Sequence, residues 1–153
     1  MILSAARIQP RSLPRPKTLA ARRGLGFQRK FVKQFETNLP AGFTVESEPW
    51  FEYTDSRSPG EKQICCPDLL AFDSDNGFYI VIEIKQTWTP LAIQKLRDVY
   101  CPVVRTAQGG PARPVVVAKT LIPTSPRPQS TVSFALLSDE PLIHWTGNGP
   151  ILW

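Results

Sequence analysis

Residues 67–85 read PDLLAFDSDNGFYIVIEIK, and no other stretch indicates the architecture of the chain so directly. Two apolar runs flank the turn signal Asp75-Asn76-Gly77, which favours a hairpin of two antiparallel strands. The second run, 78–85, is apolar almost without interruption, which is typical of a strand whose two faces are both covered. The stretch therefore predicts the centre of an α/β or α+β sheet.

Two charged residues, Glu83 and Lys85, stand at the end of this apolar strand. Strand alternation puts both on one face, with Ile84 pointing the other way. Asp68 lies in the preceding strand, and cross-strand pairing can bring its carboxylate near Glu83. Buried charges are costly unless they are paired or hold an ion, so the pattern indicates a cation site. The alternative is an edge-strand ion pair between Glu83 and Lys85, with a bulge at Pro67-Asp68.

The chemistry of such a group of side chains favours a divalent metal. Two crowded carboxylates repel each other unless a cation neutralises them. Mg²⁺ (or Mn²⁺) suits Asp68 and Glu83, because Mg²⁺ takes one or two carboxylates and fills its octahedron with waters and substrate phosphate. The backbone carbonyl of Ile84 is a further candidate ligand. A metal-bound water loses its proton more easily, and Lys85 is the candidate for positioning it.

Apolar spacing predicts the elements around this hairpin. Apolar residues recur with helical spacing from about residue 25 to Leu39, and Pro40 ends that helix. A second helix is expected over 91–100. Strands are expected over 45–54, 64–72, 78–85, 114–119, 131–137 and 142–145. The predicted order is helix, three strands, helix, strand and then extra C-terminal strands.

Basic residues are concentrated at the start of the chain. Residues 1–33 carry nine of the 18 Lys and Arg and no acid, whereas the other 120 residues hold nine basic and 13 acidic groups. Residues 1–23 are rich in proline and lack an apolar period, which predicts a disordered or extended arm before a folded domain over 24–153. A basic segment on an acidic body suits contacts with nucleic-acid phosphates. A solvated tail is the alternative.

The candidates for phosphate contact are basic side chains of this segment and of the second helix: Arg22, Arg23, Arg29, Lys30 and Lys95. A solvated helix face is the alternative for Lys95. A mitochondrial transit peptide is also rich in arginine and poor in acids. Pro10, Pro14 and Pro16 oppose that interpretation, because they would break its amphipathic helix.

Composition excludes several other classes of protein. The chain has 153 residues, 42% of them hydrophobic, which suits one domain with a buried core. Its single histidine, His144, and three cysteines leave little for a zinc site, and one histidine rules out mechanisms that need two. No apolar run approaches the ~20 residues that span a bilayer, so no membrane association is expected. The cysteine content favours a reducing compartment, hence a cytoplasmic protein.

Pro67-Asp68 followed by Glu83-Ile84-Lys85 resembles the signature of the PD-(D/E)XK nuclease superfamily. The predicted order of elements is similar to the αβββαβ core of that superfamily. The stretch from Gly26 to Lys85 resembles in particular the endonuclease I type of Holliday-junction resolvase, known from phages such as T7. The resemblance covers about residues 24–120 and implies a restriction-endonuclease-like α/β fold with a mixed central sheet, to which this chain adds C-terminal strands and a basic N-terminal arm.

The resemblance implies a Mg²⁺-dependent DNA endonuclease, in its most specific form a Holliday-junction resolvase or nicking enzyme of a phage or mobile element. Asp68 and Glu83 would be its metal ligands, and Lys85 would position the attacking water. The family usually has a glutamate on the first helix, where this chain has Gln28, which can orient a water but brings no charge. Resolvases cut as dimers, so the expected partners are DNA and a second copy of the chain. A viral origin would put the protein in the host cytoplasm.

Two alternatives to this function remain open. A nuclease-like domain that no longer cuts would serve as a nucleic-acid-binding or virion assembly module, and Gln28 and the proline-rich arm favour it. A restriction-type enzyme would need an element that reads bases, and the sequence contains no helix or loop clearly suited to that role.

Overall fold

The computed structural model describes residues 1–11, 16–126 and 142–148. Its strands are β1 (Ile2–Ile8), β2 (Phe43–Ser47), β3 (Trp50–Asp55), β4 (Gln63–Cys65), β5 (Leu69–Asp73), β6 (Phe78–Thr87), β7 (Ala112–Thr120) and β8 (Leu142–His144). Its helices are α1 (Leu19–Thr37), α2 (Pro90–Lys95) and α3 (Cys101–Gln108), with a π-helical turn (Leu96–Tyr100) between the last two. None of these helices has the length and apolar character that crossing a membrane requires.

A mixed five-stranded sheet with the order β2-β5-β6-β7-β8 forms the centre of the fold. The predicted hairpin is present as the antiparallel pair β5–β6, and β7 lies parallel to β6 on its other side. The crossover from β6 to β7 carries α2, the π-helical turn and α3, since a parallel connection needs a long segment. The elements of this sheet and its helices follow the order αβββαβ, so the predicted α/β fold class with a mixed central sheet is confirmed.

A second sheet has the order β1-β3-β4, and the sequence analysis merges β3 and β4 with their neighbours in the chain. The strands predicted over 45–54 and 64–72 are each divided into two strands that belong to different sheets. The first division falls at Glu48-Pro49, where Glu48 has a positive φ of 49°. The second falls at Pro67, which has no N–H to donate to a strand ladder.

The start of the chain is more regular than an arm. Strand β1 pairs antiparallel with β3, so residues 2–8 are extended as part of a sheet. Helix α1 begins at Leu19 rather than near residue 25, because the side chain of Thr18 caps it by accepting a hydrogen bond from the N–H of Ala21 at 3.1 Å. The division of the chain into an arm and a domain at residues 23 and 24 stays a prediction.

The later elements agree with the sequence in type but not in length. The second helical region, predicted over 91–100, continues to Gln108 and ends at Gly109, whose positive φ of 73° suits glycine. Strands β7 and β8 correspond to the strands predicted over 114–119 and 142–145. The strand predicted over 131–137 lies outside the described residues.

Both faces of β6 are covered, as its apolar sequence predicts. Helix α1 buries Phe27, Phe31 and Phe35 against one face of the sheet, where they meet Ile82 and its neighbours on the same face. The opposite face, which includes Val81, packs against α2, the π-helical turn and α3. At Glu83, a charged side chain of β6 therefore has no open face toward which to turn.

The packing of α1 can be tested at Phe31, whose side chain is fully buried. Replacing Phe31 with Ala leaves a cavity, so we expect the free energy of unfolding to fall by about 3–5 kcal/mol. Leu19→Ala, at an exposed position of the same helix, should change it by less than about 0.5 kcal/mol. Urea denaturation measures both. Equal, small effects would contradict the placement of α1 against the sheet.

Candidate active site

The two carboxylates and the ammonium singled out from the sequence meet on one face of the central sheet. Asp68 directly precedes β5, and the pairing of Leu69 with Ile82 sets it beside Glu83. The Nζ atom of Lys85 lies 2.7 Å from Oε1 of Glu83. The structure thus brings Asp68, Glu83 and Lys85 together, in the arrangement that strand alternation predicts.

The position of β6 argues against the simplest structural explanation for these charges. Strand β6 lies between β5 and β7, so Glu83 and Lys85 do not form an ion pair on an edge strand. Glu83 is only 3% exposed, and it points toward the helices that connect β6 to β7. A buried charge at the centre of a sheet opposes folding, which indicates a role beyond stability.

The backbone of Ile84 fixes the orientation of Asp68. The Ile84 N–H donates to Oδ2 of Asp68 at 2.6 Å, a short hydrogen bond of the kind that a charged acceptor makes. In a strand the N–H and C=O of one residue point to the same side. The Ile84 carbonyl therefore faces the side on which Asp68 lies, and it stays a candidate metal ligand.

The two carboxylate oxygens of Glu83 differ in their surroundings. Oε2 of Glu83 is buried and has no hydrogen-bond partner among the residues that the structure describes. A buried, unsatisfied charged oxygen is costly, and a cation would satisfy it. Within the described ranges, no group of three or more His, Cys, Asp or Glu side chains could hold a metal. A metal bound by Asp68 and Glu83 would therefore take its other ligands from waters, backbone or substrate phosphate, as Mg²⁺ commonly does.

The environment of the site raises the pKa values of both Asp68 and Lys85. Burial, and then the charge of Glu83, raise the pKa of Asp68 to about 7, although the Ile84 N–H and the two nearby lysines act against this rise. Burial alone would lower the pKa of Lys85, but the charge and hydrogen bond of Glu83, helped by Asp68, outweigh it and raise that pKa. Lys85 is therefore an ammonium at neutral pH, able to donate hydrogen bonds but not to accept a proton.

A second lysine, Lys95, lies beside the same carboxylate. Its Nζ atom is 3.8 Å from Oε1 of Glu83 and 4.5 Å from the centre of the Tyr100 ring. The π-helical turn between these two residues widens the helix, and such turns are frequent at functional sites. The sequence analysis assigns Lys95 to phosphate contact. In the structure its side chain is half-exposed and faces the site, so contact with a substrate phosphate there stays a prediction.

Gln28 reaches the site through a residue that the sequence analysis missed. Its Nε2 donates to Oε1 of Glu48 at 3.5 Å, and the backbone N–H of Glu48 donates to the carbonyl of Asp68 at 3.0 Å. The backbone of Glu48 has a positive φ of 49°. Such a φ is costly for a residue other than glycine, and it often marks functional positions. The only signal in the sequence near Glu48 is Pro49. This proline indicates a break in the strand, but it does not indicate that the Glu48 carboxylate lies near the site.

The thiol of Cys66 lies within the electrostatic influence of three acids. Burial raises the pKa of Cys66 to about 12, and the charges of Glu48, Asp68 and Glu83 contribute to the rise. A thiol with so high a pKa is protonated at neutral pH and is a poor nucleophile. The reactive groups of the site are thus its carboxylates and ammonium groups.

The basic residues predicted to contact phosphate from the first helix lie on the exposed side of α1: Arg22, Arg23, Arg29 and Lys30. Arg22 donates to the backbone carbonyl of Pro16 at 3.5 Å. Arg29 lines a cavity of about 350 Å³ together with Gln28 and Glu48. Arg23 and Lys30 line a separate cavity of about 470 Å³.

Two solved structures are similar to this chain. One is EndoMS in complex with double-stranded DNA, with 20% sequence identity and a TM-score of 0.42 over 74% of this chain and 42% of that one. The other is a repair endonuclease from Pyrococcus abyssi, with 16% identity and a TM-score of 0.43 over 90% of this chain and 50% of that one. This chain thus spans half or less of their length. No protein-family model and no curated protein matches the sequence.

The repulsion between the two carboxylates gives a testable effect on stability. Because the folded protein raises the pKa of Asp68, its charged form opposes folding, and this penalty grows as pH rises from about 4 to about 7. Asp68→Asn removes the penalty. We expect the variant, in EDTA at pH 8, to be more stable than the wild type by on the order of 1 kcal/mol.

The same comparison at pH 4 is the control, because there Asp68 is largely protonated in the folded wild type and the two proteins should differ little. Urea denaturation at both pH values measures the effect. A variant less stable than the wild type at pH 8 would show that Asp68 is held by favourable contacts alone.

Proposed function

We propose that this chain is a metal-dependent DNA endonuclease that hydrolyses phosphodiester bonds at the site formed by Asp68, Glu83 and Lys85. The observation that carries the proposal is Oε2 of Glu83, which is buried beside a second carboxylate and an ammonium and has no hydrogen-bond partner within the described segments. A purely structural ion pair needs neither the second acid nor an oxygen without a partner. The order of elements supports the same conclusion, since it is the order of the nuclease superfamily that the motif resembles.

Mg²⁺ or Mn²⁺ fits the donor set of the site. Asp68 and Glu83 would hold the ion, with the Ile84 carbonyl as a further oxygen ligand. When bound, the ion would supply Lewis-acid activation of the scissile phosphate and of the attacking water. The carboxylates gain as well, because positive charge between them removes the repulsion that raises the pKa of Asp68.

The remaining roles belong to backbone and side-chain groups of the protein. The Ile84 N–H locks the Asp68 carboxylate in one orientation, so this acid does not have to reorganise during the reaction. Glu83 holds the Lys85 ammonium at 2.7 Å, where Lys85 can donate to the attacking water and to a phosphate oxygen. In hydrolysis the water oxygen bonds to phosphorus, the bond to the leaving oxygen breaks, and the proton of the water passes to solvent or to that leaving oxygen. Lys85 orients the water and offsets the charge that develops on the phosphate.

We also infer that branched DNA is the preferred substrate and that the active form is a homodimer. The resemblance of Gly26 to Lys85 to phage junction-resolving endonucleases supports this finer form. The exposed basic face of α1 supports contact with DNA backbone rather than with bases, because Arg and Lys of this kind neutralise phosphates without reading sequence. A dimer would present two sites, so that two strands of a junction are cut together.

The nuclease proposal is tested by cleavage of supercoiled plasmid in Mg²⁺ or Mn²⁺. The wild type should cut, and Asp68→Asn, Glu83→Gln and Lys85→Ala should each lower the rate by about 100-fold or more. Lys62→Ala is the matched control, since Lys62 is an exposed lysine paired with Glu52, and it should keep the wild-type rate. If the wild type binds DNA but never cuts it, the chain is a nucleic-acid-binding module and the nuclease proposal is wrong.

The finer proposal is tested with a synthetic four-way junction and linear duplexes of the same sequences. We expect the junction to be cut at least about tenfold faster, by paired incisions in opposite strands, and sedimentation to give the mass of a dimer. Equal rates on both substrates would reject the resolvase form and leave a general endonuclease. A monomer that cuts single strands would correspond to a nicking enzyme.

A further inference from the structure

A second feature, distinct from the acidic site, lies on the opposite face of β6. It is the cavity of about 470 Å³ between α1 and the carboxyl ends of β6 and β7. Its polar lining consists of Arg23, Lys30, Gln86, Lys119, Thr146 and Asn148. Of these, only Arg23 and Lys30 were predicted from the sequence to contact DNA.

The register of the two strands explains how these side chains meet. Ile84 and Val117 belong to the core beneath α1, so alternation turns Gln86 and Lys119 to the same face. The pairing of Lys85 with Ala118 places Gln86 beside Lys119. The sheet thus contributes an amide and an ammonium to a cavity that the basic side of α1 closes.

The charge of this cavity has one sign. Among residues 1–11, 16–126 and 142–148, three cationic side chains line it and no acidic residue does. Arg23, Lys30 and Lys119 form no ion pair with any carboxylate in the part of the chain that the structure describes. Converging positive groups without counter-charges favour an anionic ligand, because the field of each adds to that of the others.

The floor of the cavity is well packed. Phe27, which also lines it, contacts the ring of Trp145 with a centroid distance of 5.5 Å. The ring of His144 is 3.0 Å from the carbonyl of Lys119, which ties β8 to the end of β7. The polar groups therefore stand on a fixed apolar base, and binding an anion would require little rearrangement of the backbone.

The location of the cavity connects it to the acidic site. Lys85 and Gln86 are consecutive residues, about 3.8 Å apart at Cα, with side chains on opposite faces of β6. The acidic site and the basic cavity therefore flank the same strand end. The carboxyl ends of strands in α/β sheets are also where such folds usually bind ligands.

We propose that this cavity binds a backbone phosphate of the DNA, next to the phosphodiester that the acidic site hydrolyses, through Arg23, Lys30 and Lys119. The inference rests on the proposed function for the identity of its ligand. It assigns roles to Lys119 and Gln86 that no sequence pattern indicated, with Lys119 as a charge partner and Gln86 as a neutral donor. The proposal also implies a path for the DNA strand, which crosses the end of β6 from one face of the sheet to the other.

Two pairs of variants, each matched in charge, test the proposal by equilibrium binding of a DNA duplex in EDTA over a range of salt concentrations. Lys119→Gln should weaken binding by about tenfold and lower the slope of log affinity against log salt by about 0.9, the value for one lost phosphate contact. Lys62→Gln removes the same charge at an exposed position outside the cavity and should leave the slope unchanged.

The second pair uses two glycines of α1. A Cβ at either Gly24 or Gly26 meets no atom within 4 Å, but only Gly26 lines the cavity. Gly26→Glu places a carboxylate at the phosphate position and should weaken binding by about tenfold relative to Gly24→Glu. Both variants add one negative charge and remove one helical glycine, so net charge and helix propensity are matched. Circular dichroism checks that both fold.

The outcomes separate this inference from the nuclease proposal. If the wild type cuts DNA but Lys119→Gln and Gly26→Glu bind as their matched controls do, the cavity does not hold a phosphate. If the wild type never cuts but the two cavity variants lose affinity and Lys119→Gln lowers the slope, the phosphate site stands and the nuclease proposal fails. Equal loss in a variant and its control would show that only net charge matters, which overturns the inference.

Discussion

The burial of one carboxylate in the central sheet is the constraint on which the rest of the structure depends. Glu83 lies on a strand covered on both faces, and one of its oxygens has no partner in the portion of the chain that the structure describes. Its charge requires compensation, and the fold supplies two lysines, one from the same strand and one from the following helix. The chain thus maintains a costly group at the point where its topology places the end of β6, which is the behaviour expected of a functional site.

At the end of β6, two kinds of charge lie on opposite faces of a single strand. Carboxylates and their lysines occupy one face of the β6 end, and cations that pair with no described acidic residue occupy the other. The separation follows from strand alternation alone, because consecutive residues point to opposite faces. Catalysis and backbone binding, if both belong here as proposed, would require no flexible element to bring them into register. Helix α1 and the parallel strands β6 and β7 already fix the spacing between the acidic site and the basic cavity.

Sequence reasoning reached the hairpin and the acidic group because both depend on local patterns. The Asp75-Asn76-Gly77 turn and the apolar run before Glu83 determine register, and register determines which charges meet. The same reasoning merged β2 with β3 and β4 with β5, since Pro49 and Pro67 indicate at most a break in a strand, and nothing local shows that the two halves belong to different sheets. The basic cavity was beyond its reach for a related reason: Lys30 and Lys119 are distant in the chain and converge only through packing.

The π-helical turn over Leu96–Tyr100 has a consequence for how this site can change. A π turn contains one residue more than the α-helical path between the same end points. Because the end points are shared, loss of a single residue there would restore an ordinary helix and leave α2 and α3 in place. Lys95 and Tyr100 would then be four residues apart, the spacing at which side chains meet on one face of an α-helix. The ammonium would keep its place beside the ring and the carboxylate, so the chain can lose this residue without losing the second lysine of the site.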